Sequence, residues 1–141
     1  MDSGPTRLDS PAMSTARRIA RAHWAGIAAE FGMLTSSEVD RRVGAKSPPA
    51  GCLAGNRQIL GVVTRAGRVL YPGFQFDEDT GQVLPVIGQV ALIGLKGGWR
   101  DRALLQWFCM SNVHLGGARP VDRMGDPEKV VTAARRDLGR S

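Results

Sequence analysis

The chain has 141 residues, 43% of them hydrophobic and 23% charged, and its 19 Lys/Arg against 13 Asp/Glu give a net charge of +6. That length suits one domain or two very small ones, and that apolar share excludes a chain disordered throughout. No apolar run approaches the ~20 residues of a membrane helix, and the first twelve residues, MDSGPTRLDSPA, carry no signal-peptide pattern. Cys52 and Cys109 are isolated, with no histidine at ligand spacing, which argues against a disulfide framework, a zinc site or any other cofactor. By elimination the expected location is cytoplasmic.

The charge is unevenly spread. Residues 1–70 hold 10 Lys/Arg against 5 Asp/Glu, whereas residues 71–141 hold 9 against 8. A basic front half is the electrostatic footprint expected of a nucleic-acid partner.

Residues 1–13 contain Pro5 and Pro11 and no period, and are expected to form a disordered arm. From Ser14 the residues Ala16, Ile19, Ala20, His23, Trp24, Ile27, Ala28 and Phe31 recur at three- and four-residue steps, which predicts a helix ended by Gly32. In LTSSEVDRRVG, residues 34–44, Thr35 and Glu38 are spaced for a reciprocal capping box. Val39 and Val43 then share one face, with Arg41 and Arg42 outward and Gly44 as the stop. A second helix could start at Ser47 with Pro48 at its first position, although Gly51 and Gly55 weaken it. Together these elements predict a helical, helix-turn-helix-like DNA-binding unit over residues 14–58.

Residues 59–76 read as a β-hairpin: ILGVVT, then RAGR as a glycine-containing turn, then VLYPGFQF. A basic-tipped hairpin after a helix-turn-helix looks like the wing of a winged-helix protein, whose tip meets phosphate or the minor groove. The candidate DNA-binding residues are therefore Arg41, Arg42, Lys46, Ser47, Arg57, Arg65 and Arg68. Tyr71, Phe74 and Phe76 concentrate aromatics in a chain only 6% aromatic. They are expected to be structural core at the junction with the helical half, with Gln75 satisfying backbone groups there. Asp77, Glu78 and Asp79 read as a solvated turn. Helices are then expected from Pro85 to KGG, over residues 99–112, and over 127–138, the last capped by Asp126.

The string RQILGVVTRAGRVLYPGFQFDEDTGQVLP, then Trp99, Trp107, NVHLGGARPVD and DPEKVVTAA, resembles the Xre/MbcA/ParS family of antitoxins over its toxin-binding domain, roughly residues 57–138. The resemblance implies an antitoxin of a type II toxin–antitoxin pair. Such a protein binds and occludes a RES-type toxin that consumes NAD, and represses the shared operon by binding operator DNA. It also implies toxin contact by Trp99, Trp107, Asn112 and the carboxyl-terminal Arg135, Arg136 and Arg140. A homodimer is expected, because an operator with two-fold symmetry calls for a dimer. The amino-terminal half reads more as a winged or excisionase-like unit than as an Xre-type one.

The fold expected is thus mainly α with a β-hairpin, a helix-turn-helix or winged-like unit followed by a β-hairpin plus helical toxin-binding domain over residues 59–141. A stand-alone winged-helix transcriptional regulator is the alternative, and a pure protein-binding antidote a third. An enzyme is not expected: His23 and His114 are the only histidines, and GLKGGW lacks the length and terminal Ser/Thr of a phosphate loop.

Overall fold

A computed structural model describes residues 11–139. The chain divides at Gly32 into two compact units. In the first, α1 (Pro11–Phe31) is a single 21-residue helix. It begins three residues before the periodicity predicts, since proline at a first helical position forfeits no helical hydrogen bond, and the Thr15 hydroxyl donates back to the Pro11 carbonyl at 2.9 Å. The rest of the expected arm, residues 1–10, lies outside the described residues. Gly32 ends α1 at φ +77°, as the sequence leads one to expect.

The second unit runs unbroken from Met33, so the boundary expected near residue 58 is not where the chain divides. Its order is β1 (Met33–Leu34), α2 (Ser36–Val43), α3 (Ala50–Gly55), β2 (Val62–Val63), β3 (Val69–Pro72), α4 (Pro85–Lys96), α5 (Asp101–Phe108) and α6 (Pro127–Leu138). Short 3-10 turns lie at Gly73–Gln75, Val113–Leu115 and Pro120–Arg123. The three strands form an antiparallel sheet in the order β1-β3-β2. Hydrogen bonding pairs Leu34 with Tyr71 and Val62 with Leu70. The expected hairpin is present, and β1 is an addition that two residues of sequence could not announce. The architecture is mainly helical with a small sheet, as expected.

One core explains why residue 58 is no boundary. Val39, Val43, Ala50 and Leu53 of the two short helices pack with Ile59, Tyr71 and Phe76. The two short helices have no core of their own and borrow one from the sheet. Pro72 ends β3 and the chain coils into the 3-10 turn, so the strand alternation stops there. The aromatics consequently diverge: Tyr71 and Phe76 join the core beneath α2 and α3, while Phe74 meets Phe108 of α5 with ring centroids 5.5 Å apart.

Gln75 sits between these two directions, wholly buried. Its Oε1 accepts from the Leu60 N–H at 2.7 Å, and its Nε2 donates to the carbonyls of Leu60 at 2.9 Å and Pro72 at 3.1 Å. The side chain thus supplies Leu60 with the donor and acceptor that a neighbouring strand would supply, which is the role expected for it. The turn at 77–80 is also as expected. The Asp77 carboxylate accepts from the Asp79 and Thr80 N–H groups, and these bonds, Thr80 first, hold its pKa below the ordinary value.

In the helical half, α4 packs beside α6, with Val90, Ala91, Val130 and Ala134 buried. Gly98, at φ +83°, closes α4: its N–H reaches the Leu95 carbonyl and that of Trp99 reaches Gly94. This turn takes Trp99 out of the helix predicted over 99–112, and α5 spans only Asp101–Phe108. The helix over 127–138 is as predicted, but the Asp126 side chain accepts no capping hydrogen bond from its first turn. Its carboxylate instead faces Lys129 Nζ at 3.5 Å.

Candidate nucleic-acid interface

The helix pair α2 and α3 is held by three polar devices. At the start of α2 the capping box is complete. Thr35 N–H donates to Glu38 Oε1 at 2.9 Å and Glu38 N–H donates to Thr35 Oγ1 at 3.2 Å. Those bonds, with help from Arg41 and Arg42, keep the Glu38 pKa below its ordinary 4.5. At the start of α3, Ala50 N–H donates to Asp40 Oδ1 at 2.7 Å, so α2 itself supplies the cap that Pro49 cannot. Across the turn, Gln82 Nε2 donates to the Val43 carbonyl at 2.7 Å and Gln82 Oε1 accepts from the Ser47 hydroxyl at 2.9 Å.

Around this frame the candidate residues separate into two sets. Arg41, Arg42 and Lys46 are exposed on α2 and the turn after it, with the Arg42 guanidinium 5.9 Å from the centre of the Phe76 ring. Arg65 and Arg68 are exposed at the hairpin tip. There Gly67 adopts φ +84°, and Thr64 closes the turn by donating its N–H to the Arg68 carbonyl at 2.7 Å. Lys46, Arg65 and Arg68 enter no ion pair among the described residues. Next to the tip, Val63 and Val69 face each other across the strands, and Val63 is 62% exposed.

Two expected DNA contacts are corrected. Arg57 occupies the left-handed region at φ +56°, where it closes α3: its N–H reaches the Ala54 carbonyl and that of Gln58 reaches Leu53. Its guanidinium pairs with Asp101 at the start of α5, 2.9 Å away, so it ties the two halves of this unit together instead of projecting into solvent. Ser47 gives its hydroxyl to Gln82 and is likewise a structural residue.

The candidate toxin-contact set divides in the same way. Asn112 is only 5% exposed, and its amide donates to Asp137 Oδ2 at 2.7 Å while its carbonyl oxygen accepts from His114 N–H. Trp107 Nε1 donates to the same Asp137 oxygen at 2.9 Å. His114 Nε2 lies 3.2 Å from Oδ1. Asn112 and Trp107 are therefore fastened onto α6, and Asn112 is a buried structural residue, not a contact surface. Trp99, Arg135 and Arg136 do remain exposed, and Arg140 lies outside the described residues. Arg135 and Lys96 line an open groove of about 830 Å³ between α4 and α6, together with Leu92, Ile93, Met124 and Val131.

Sequence reasoning missed Asp40, Gln82 and Asp137, the three residues whose side chains fix these surfaces. Asp40 carried a faint signal, an acidic residue ten positions ahead of a helix start that has no capping side chain of its own. Gln82 and Asp137 carried none.

No protein-family model matches this chain, and no curated protein matches it. Among solved structures it is similar to the NMR structure of Rv2175c, at a TM-score of 0.62 and 23% sequence identity, over 77% of this chain and 82% of that one. That likeness shows a shared fold.

Proposed function

We propose that this chain is a winged helix-turn-helix DNA-binding protein that regulates transcription. The observation that carries the reading is the pairing of a firmly capped helix-turn-helix with an exposed basic wing, Arg65 and Arg68, on one shared core. Arg41, Arg42 and Lys46 add cations to the helical side of that module. Cations at a wing tip and beside a helix-turn-helix suit phosphate contacts, which position such modules on a duplex. Fluorescence anisotropy with labelled duplex DNA tests it. The Arg65→Glu/Arg68→Glu variant should bind more than about tenfold more weakly, with an unchanged melting curve because both side chains are exposed. Equal binding by that variant would remove the wing from the interface.

The helical half supports a second reading, an antitoxin that docks and occludes a RES-type, NAD-consuming toxin and represses its operon as a homodimer. What favours it is the open apolar groove between α4 and α6, with Arg135 at its edge and Trp99 and Arg136 exposed nearby in the chain. Co-expression with the product of the neighbouring gene, followed by pull-down and a growth assay, tests this role. On this reading an Arg135→Glu substitution weakens toxin binding and leaves DNA binding intact.

The described residues contain no helix long and apolar enough to cross a membrane.

A further inference from the structure

Resting on the DNA-binding reading above, we infer that the module takes double-stranded DNA through its sugar-phosphate backbone and groove shape, with little discrimination between base sequences. The inference comes from what α3, the second helix of the helix-turn-helix, offers to a groove. Of its six residues Ala50 and Leu53 are buried, and the exposed ones are Gly51, Cys52 and Gly55. None of these carries a side chain that can pair with a base edge in the manner of Arg, Lys, Asn or Gln.

The flanks add little beyond Lys46, an exposed cation four residues ahead of α3 in the turn after α2. Pro48 and Pro49 have no donor at all. Ser47 is committed to Gln82, and Arg57 to Asp101. Asn56 and Gln58 are exposed but lie beyond the carboxyl end of α3, whereas a recognition helix reads bases chiefly with its amino-terminal residues.

The two glycines point the same way. Both lie on one face of the helix, four residues apart. A Cβ at either position would meet nothing within 4 Å, so no internal packing requires them. Neither adopts a positive φ. Glycine weakens a helix, and what it gives in return is close access to the backbone. Affinity is left to the exposed cations on α2 and the wing, which neutralise phosphates irrespective of sequence.

The test uses the full chain, a panel of unrelated duplexes in anisotropy titrations at several salt concentrations, and selection from a randomised duplex pool. We expect affinities within about tenfold of one another and no enriched consensus, against the ~10³-fold or greater preference of a sequence-specific module. Affinity should fall with salt at a logarithmic slope of about −4 to −5 if five cations each neutralise one phosphate. A Gly51→Ala/Gly55→Ala variant should melt at or above the parent temperature yet bind duplex several-fold more weakly. An enriched consensus bound more than a hundredfold tighter would overturn this inference and leave the DNA-binding reading standing. Unchanged affinity in a folded double-alanine variant would overturn it as well, by taking α3 out of the interface. Failure to bind any duplex would bring down both.

Discussion

Replacing Gln75 with methionine keeps an unbranched chain of similar length and removes every hydrogen bond the amide makes. Three backbone groups lose their partner: the Leu60 N–H, the Leu60 carbonyl and the Pro72 carbonyl. Leu60 and Gln75 are both wholly buried, so water cannot replace the lost partner without opening the core. An unsatisfied buried polar group costs about 1–3 kcal/mol. The Pro72 bond is the longest of the three and is discounted, and the thioether regains some apolar burial. The expected loss is about 3–5 kcal/mol, a large part of the 5–15 kcal/mol that holds a typical domain folded. Urea denaturation followed by circular dichroism measures it, with the midpoint falling and the slope unchanged if the unfolded state is unaffected. Because β2 begins two residues after Leu60, the proposed duplex binding should weaken as well, through a loosened hairpin. A Gln75→Met protein within about 1 kcal/mol of the parent would refute the reasoning, since it would mean Leu60 finds other partners at no cost.

Asp40→Ala removes the cap on the Ala50 N–H and should cost about 1 kcal/mol, read in the same denaturation experiment, with faster hydrogen exchange at the Ala50 amide. Gly94→Ala places a methyl 2.5 Å from Leu104 Cδ2 and 2.8 Å from Cδ1. Leu104 is fully buried, so the overpacking cost of about 1–3 kcal/mol should outweigh the gain in helix propensity and lower the melting temperature. For Glu38 the folded pKa lies below the ordinary 4.5, so its contribution is complete above that value and disappears as pH falls through the folded pKa. A Glu38→Gln variant should therefore lose part of the parent's decline in stability below about pH 4.5, and parallel pH profiles from unfolding experiments on both proteins would expose the error if they do not differ there.

What could be read along the chain was whatever is decided within a few residues. The Thr35–Glu38 capping box, the glycine stop after α1, the glycine turn of the wing and the boundaries of α6 are all set by neighbours at most four positions apart. The buried role of Gln75 was also legible, as an amide expected at the junction of the two halves, where it must find backbone partners. Helix ends governed by longer connections were less legible. Trp99 was read as the start of a helix, yet the turn closing α4 uses it, and Asp126 proved to face Lys129 in place of capping α6.

Local sequence was enough for the basic front half, the capped α2 and the hairpin with Arg65 and Arg68 at its tip. Those properties depend on composition and on local backbone preference, which survive whatever the rest of the chain does. Which polar side chains stay available depends instead on how the chain folds back on itself. Arg57 reaches Asp101, Ser47 reaches Gln82, and Trp107 and Asn112 converge on Asp137. Each of these partners lies 25 to 44 residues away along the chain. A buried or half-buried polar group takes whichever partner folding brings within 3 Å, and a linear pattern does not contain that distance.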